Sequence, residues 1–299
     1  MSHYCQRFIR ISLTLWIALG LSACASFLGP EPTLTPQATS TPEPPTATPE
    51  PLALTVNGEG IRLVEFDEEV ARYMTAQEAL EKTVSSADAT SAVIDDLVIQ
   101  LLLAQAARVD GFTLDDATLQ AHIHSLAEQI GGTDALSKWK SDHGYTEQTF
   151  RSTLKRAAEA AWMRDKIIMA VPSTAEQVHI QQILLYNEAK AQSFLTQLNG
   201  GADFDELALE ADPLTRGDLG WVPRGYLLDE KIEEAAFGLT VGEHSEVIPT
   251  DVGFHIIRIL ARDPERPLSP DAYLALQELA LKKWIEEQRQ QAAIILAPQ

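Results

Sequence analysis

Two glycine-bounded stretches hold the residues that are best suited to chemistry. The first reads RGDLGW at residues 216–221 and forms a tight turn. The second reads GFHII at residues 253–257, a short β-rich run in which Gly253 follows Gly220 by 33 residues. The sequence has no P-loop, HExxH, GxSxG or CxxC pattern, and His122 and His124 fall on different faces of a predicted helix. We therefore expect neither a metal site nor a cofactor.

The order of the surrounding motifs is more specific than any one of them. After the glycine turn come a predicted helix at residues 229–239 and the pattern L-x-x-GE-x-S at residues 239–245, before GFHII. Over residues 176–262 the chain resembles the parvulin family of peptidyl-prolyl isomerases. The resemblance implies a four-stranded antiparallel sheet with surrounding helices, and catalysis of rotation about X–Pro bonds, whose barrier is about 18–20 kcal/mol. Such an enzyme breaks no bond, because it removes the amide from water and stabilises its twisted form.

The resemblance also implies a polar site. Active parvulins use two histidines from neighbouring central strands, a Cys or Asp, and a Ser or Thr. Here His255 matches the second histidine, Thr250 the hydroxyl and Asp212 the Cys/Asp position, while Gln182 replaces the first histidine. A glutamine can support His255 by hydrogen bonds, but it cannot change tautomer or charge. Asp212 is also consistent with an ordinary turn residue, because the loop at residues 212–217 is shorter than in the family.

A slot for the proline ring is implied beside this polar set. By resemblance to the family, this slot would be lined by Leu219, by Ile232 and by one of the two neighbouring leucines Leu227 and Leu228. Packing alone would select the same residue types, so these positions are also consistent with plain core. We predict that Phe237 belongs to the core.

Hydrophobic periodicity predicts the elements that position these residues. Residues 177–185 alternate as a strand that places Val178, Ile180, Gln182 and Leu184 on one face, and the final strand places His255, Ile257 and Ile259 on one face. Helices are predicted to start at Asn187, Asp203 and Asp229.

Residues 53–171 have a helical pattern that opens with a short strand and turn at residues 54–58. Thr113, Thr133 and Thr146 are predicted to cap helices. The start VNGEGI, at residues 56–61, and the helices behind it resemble the chaperone region of SurA- and PrsA-type foldases. In that family a C-terminal helix, here within residues 265–299 and predicted to run from 269 to 294, returns to pack on this module. The predicted fold class is therefore α+β, with a helical module and a parvulin-like domain.

The N-terminal 52 residues are predicted to lie outside the fold. Residues 1–23 have arginines followed by an apolar run too short to span a bilayer, as in a signal peptide. The run ends LSAC, which resembles a bacterial lipobox and predicts lipidation at Cys24; an ordinary secretory signal is the alternative. Residues 24–52 are rich in Pro and Thr and predict an extended tether.

Charge and location restrict the partners. The formal net charge of −20 argues against binding nucleic acid. We predict a lipid-anchored foldase on the extracytoplasmic face of the cell membrane, whose partners are unfolded or proline-containing polypeptides. It would combine isomerase and chaperone activity, with isomerase activity weakened at Gln182. The alternatives are a non-catalytic holdase with a degenerate parvulin domain, and a structural envelope lipoprotein.

Overall fold

The computed structural model of the protein describes residues 50–227 and 229–297. The chain begins with β1 (Leu52–Val56), β2 (Glu59–Arg62), α1 (Leu63–Ala79), α2 (Ser86–Val109), α3 (Asp116–Ile130), α4 (Thr133–Asp142) and α5 (Glu147–Met169). It continues with β3 (Thr174–Leu185), α6 (Glu188–Asn199), α7 (Phe204–Ala211), β4 (Asp218–Pro223), α8 (Glu230–Gly238), β5 (Ile248–Thr250) and β6 (Gly253–Pro267). It returns with α9 (Pro270–Gln291) and β7 (Ile294–Leu296). We call β3 to β6 with their helices the sheet domain, and the remaining elements the helical module.

Helix α9 packs on the helical module, as the fold prediction states. Its Leu281 and Trp284 lie against buried side chains of α2 and α5, among them Leu103 and Met163. Tyr273 and Gln277 donate side-chain hydrogen bonds to backbone carbonyls at the end of α5 and just beyond it. The predicted α+β class, with a helical module and a four-stranded sheet, is confirmed.

We predicted from the sequence that this helix extends to Ile294, but it is shorter. It ends at Gln291, and the next residues form β7, which pairs antiparallel with β1 so that Ile294 lies opposite Val56. The three strands have the order β2-β1-β7. The strand was missed because its partner is far away in sequence and three apolar residues alone give no period.

Local capping explains most helix starts. The Thr146 and Thr149 side chains form a reciprocal capping box at the start of α5, as predicted for Thr146. The prediction of Thr113 as a cap is wrong: the Asp115 carboxylate accepts from the Thr118 N–H at 2.7 Å and caps α3. The prediction of Thr133 as a cap is also wrong, because Thr133 is the first helical residue of α4 and follows Gly132, which occupies the N-cap position.

The sheet domain is built on an antiparallel sheet with the strand order β4-β3-β6-β5. Helices α6 and α7 cover one face, around Ile183 and Ile256, and α8 covers the other, around Ile180 and Ile257. The predicted alternation of both central strands is confirmed, because Ile180 lies opposite Ile259 and Leu184 opposite His255. The stretch RGDLGW is more than a turn, since residues from Asp218 onwards form the edge strand β4.

The N-terminal predictions mostly lie outside the described residues. This holds for residues 1–23, for Cys24 and for the tether up to residue 49, whereas Leu52, which we assigned to the tether, already belongs to β1. Within residues 50–227 and 229–297, no helix combines the length and the apolar character needed to cross a membrane.

Candidate active site

His255 occupies the centre of a three-residue hydrogen-bonded row. It lies on β6 next to β3, and the residue is 4% exposed. Its Nδ1 atom lies 3.1 Å from Oε1 of Gln182, and its Nε2 atom lies 3.0 Å from Oγ1 of Thr250. The side chains of Gln182, His255 and Thr250 therefore join strands β3, β6 and β5 at one end of the sheet.

The environment of His255 favours the neutral ring. Burial lowers the pKa of His255, and the negative charge of Asp229 opposes this only in part. Both ring nitrogens thus have a side-chain hydrogen-bond partner, and the Thr250 hydroxyl also lies 3.2 Å from the Gly253 carbonyl oxygen. The row holds the ring in place and presents a preorganised, uncharged polar group.

Asp212 ends helix α7 and organises its own loop. We call residues 212–217 the site loop. The Asp212 carboxylate accepts from the backbone N–H groups of Leu214 at 3.0 Å, Thr215 at 3.2 Å and Gly217 at 3.4 Å, and from the Thr215 hydroxyl. These bonds, that of the Thr215 hydroxyl first, lower the pKa of Asp212. All four bonds stay within the loop, which agrees with the turn reading of this residue.

The site loop crosses directly over Gln182. Gly217 has φ 68°, and the Gln182 N–H donates to its carbonyl at 2.8 Å. A Cβ atom at this position would lie 1.8 Å from the Gln182 carbonyl oxygen, so only glycine fits the turn. The loop borders an open cavity of about 270 Å³, which is lined by Gln182, Leu184, Tyr186, Ala211, Asp212, Pro213, Leu214 and Gly217.

The residues predicted for the proline slot are not all found together. Ile232 is buried in the hydrophobic cluster between the sheet and α8, and Leu227 packs against this cluster. Phe237 belongs to the same cluster, as predicted for a core residue. Leu219 is 37% exposed and lies at an irregularity of the β3–β4 pairing, outside this cluster. Leu228 lies outside the described residues. For Ile232 and Leu227 the geometry agrees with the core reading, and their role in substrate binding stays a prediction.

Sequence reasoning missed two polar features of this domain. Ser245 is buried, and its hydroxyl accepts from the Ile257 N–H at 3.0 Å, which gives the serine of the L-x-x-GE-x-S pattern a structural reason. Trp221, which we interpreted as a turn residue, lies in β4 with its ring stacked on His179 at 5.4 Å. Within the described residues, no group of three His, Cys, Asp or Glu side chains could hold a metal ion.

Comparison with known proteins places both parts of the chain. The PPIC-type PPIase domain model matches residues 167–261, and the SurA-like N-terminal domain model matches residues 6–164, more than half of the chain. The foldase protein PrsA of Geobacillus sp. (strain WCH70) is 28% identical over 59% of this chain and 65% of its own length. A parvulin-like PPIase of Rickettsia bellii is 35% identical over 38% of this chain and 44% of its own length.

Among solved structures, PrsA from Bacillus cereus matches with a TM-score of 0.42 and 20% identity, over 78% of this chain and 83% of that one. The matched stretches span less than two thirds of the curated relatives' own length. From the two domain matches, the chain belongs to the family of proteins with a SurA-like N-terminal domain, here followed by a PPIC-type PPIase domain.

Proposed function

We propose that this protein is a foldase that catalyses peptidyl-prolyl cis-trans isomerisation and holds unfolded secreted polypeptides. The observation that carries the isomerase role is the hydrogen-bonded row Gln182–His255–Thr250, centred on the buried His255, at the end of the sheet and beside the cavity that the site loop borders. The row lies in a domain of the PPIC type. The names foldase and chaperone, which the relatives carry, support the second role.

The geometry suits a reaction that moves no protons. Rotation about an X–Pro bond takes tens to hundreds of seconds unaided because the amide loses its conjugation on the way. A neutral His255, held by hydrogen bonds on both ring nitrogens, supplies a fixed dipole that needs no reorganisation when the amide twists. His255 is itself buried from solvent, and a polar group acts more strongly where water is excluded.

A non-catalytic holdase is the second candidate, and two observations favour it. Gln182 stands where active relatives of the parvulin family have an imidazole, and the Asp212 carboxylate is engaged by four hydrogen bonds of its own loop. In that case the sheet domain would bind proline-containing segments without accelerating their rotation.

An isomerase assay on the full chain separates the two candidates. Cis-to-trans rotation of a proline peptide is followed for the wild type, for His255→Ala and for the control His122→Ala, an exposed histidine on α3. The isomerase proposal expects activity that His255→Ala abolishes and His122→Ala leaves unchanged. If the protein binds the peptide without accelerating its rotation, the isomerase proposal is wrong and the holdase remains as the candidate function.

The chaperone role is tested by light scattering of an aggregating denatured substrate. Residues 53–171 joined to residues 265–299 by a short linker should suppress scattering without the sheet domain, because this unit carries the predicted chaperone module. No suppression by a folded form of this unit would count against the role.

The proposal includes lipid anchoring on the extracytoplasmic face of the membrane, through Cys24. Its support is the sequence LSAC at residues 21–24, followed by the Pro- and Thr-rich segment that we predict to be a tether. Two or more acyl chains on one cysteine hold a protein stably to a bilayer. Cys24→Ser should release the protein from the membrane fraction or leave it unprocessed. A membrane-bound and correctly cleaved variant would refute the assignment.

A further inference from the structure

The residue next to Gln182 is a second glutamine, and it points to the opposite face of β3. Gln181 is 4% exposed. Its Nε2 atom donates to the Arg216 carbonyl at 2.9 Å and to Oδ1 of Asp205 at 2.9 Å, and its Oε1 atom accepts from Nη2 of Arg258 at 2.6 Å. Both donors and the acceptor of this buried amide are thus used.

The two glutamines hold consecutive carbonyls of the site loop. Gln181 binds the Arg216 carbonyl through its side chain, and Gln182 binds the Gly217 carbonyl through its backbone N–H. Arg216 has φ 56°, in the left-handed region that is unfavourable for a residue with a side chain. A conformation of this kind persists where surrounding contacts determine it.

The remaining partners of Gln181 form a rigid support. Arg258 also donates to Oδ1 of Asp205 at 2.8 Å, and its guanidinium lies 4.7 Å from the ring centroid of Phe204. Hydrogen bonds from Gln181 and then from Arg258 lower the pKa of Asp205, which therefore remains a charged acceptor. The support thus connects the start of α7, the middle of β6 and the end of the site loop.

We propose that Gln181 is a positioning residue for the active site, because it fixes the strained Arg216–Gly217 backbone of the loop that borders the cavity beside Gln182. The inference rests on the proposed isomerase function of the sheet domain. Gln181 does not face His255, so it acts through the loop and touches no substrate.

The sequence offers a matched control on the same strand. Gln177 is also buried on β3, and its Nε2 atom donates to two backbone carbonyls, those of Arg266 and Pro267, at 2.9 and 3.1 Å. These partners lie at the far end of β6. Gln181→Met and Gln177→Met each remove a buried amide of similar size, and only the first touches the site loop.

The test uses the full chain and two readouts, namely hydrogen exchange of the Leu214, Thr215 and Gly217 amides and the kcat/KM of isomerisation. Gln181→Met should accelerate exchange at these amides and lower kcat/KM, each by about tenfold, under conditions where the protein stays folded. Gln177→Met should leave both readouts at the wild-type level. Equal values for the two variants would overturn the inference.

Failure of the proposed function gives a different pattern. If the wild type binds proline peptides without accelerating their rotation, the isomerase role is wrong, and the amide exchange of the loop still decides whether Gln181 positions it. If His255→Ala abolishes activity while Gln181→Met changes neither readout, the isomerase role stands and the positioning inference is wrong.

Discussion

The helical module and the sheet domain bury polar side chains of different kinds. The helical module buries charges: Glu65 pairs with Arg156 at 2.8 Å, and Glu159 pairs with Arg108. The buried polar side chains of the sheet domain are uncharged, namely Gln177, Gln181, Ser245 and the neutral ring of His255. A buried charge must keep its partner, whereas a buried amide only needs its hydrogen bonds. The stability of the helical module therefore depends on keeping its charges paired, whereas that of the sheet domain depends on the backbone geometry that supplies the hydrogen bonds.

The largest effect is expected when a buried pair of the helical module is broken. Arg156→Met leaves the Glu65 carboxylate buried with Ser152 and, at 3.8 Å, Arg62 as its remaining neighbours. The free energy of unfolding should fall by about 3–5 kcal/mol, as for other buried pairs that lose one partner. Urea unfolding followed by circular dichroism measures the loss.

The double variant Glu65→Leu/Arg156→Met is the control, because replacing both charges by apolar groups is often neutral. If the double variant is as unstable as the single one, the loss is due to packing and the contrast between the two parts is wrong for this pair.

The next effect tests backbone geometry in the sheet domain. Gly217→Ala introduces a Cβ atom 1.8 Å from the Gln182 carbonyl oxygen at a left-handed φ, and should cost about 3 kcal/mol from strain and overpacking. Gly220→Ala has a similar φ of 71° with no atom within 4 Å of the added Cβ, so it should cost only about 1–2 kcal/mol. Equal losses on thermal unfolding would mean that the close approach is relieved without cost.

The third prediction concerns pH. The pKa of His255 is lowered by burial, so below the ordinary value of about 6.5 the unfolded chain binds a proton that the folded protein does not. Stability from this group is full above that value and is lost as the pH falls towards the folded pKa, with a slope of at most about 1.4 kcal/mol per pH unit. Unfolding of the wild type and of His255→Gln between pH 5 and 8 checks this, and an unchanged slope in the variant would contradict it.

The smallest effect is expected from restoring the imidazole of the family. Gln182→His should raise kcat/KM by about tenfold, because a second ring beside His255 adds a polarisable partner. Gln177→His, on the same strand and away from the site loop, should leave kcat/KM unchanged. A wild type that is already faster than Gln182→His would show that the amide is the better partner for His255.

Local signals in the sequence predicted much of the fold. Asn187, Asp229 and Thr146 each accept a hydrogen bond from an N–H two or three residues further on, and such bonds can be read from neighbouring residues alone. The alternation along β3 placed Gln182 on the face of His255, because side chains of paired strands share a face.

What could not be predicted depends on distant partners. Edge strand β4 has an irregular register beside Leu219, which disrupts its alternation. The support around Gln181 joins residues 24, 35 and 77 positions away, and no period in the sequence marks such contacts. For Asp212 the sequence left two readings open, and the hydrogen bonds of its loop favour the turn reading without testing catalysis.

The pairing of β7 with β1 has a consequence for how the chain matures. Val56 meets Ile294 only after the whole sheet domain has been synthesised between them. During synthesis, which runs from the N-terminus to the C-terminus, the sheet domain has all its strands while the helical module still lacks α9 and β7. The three-stranded sheet of the helical module is therefore completed last, after every strand of the sheet domain is present.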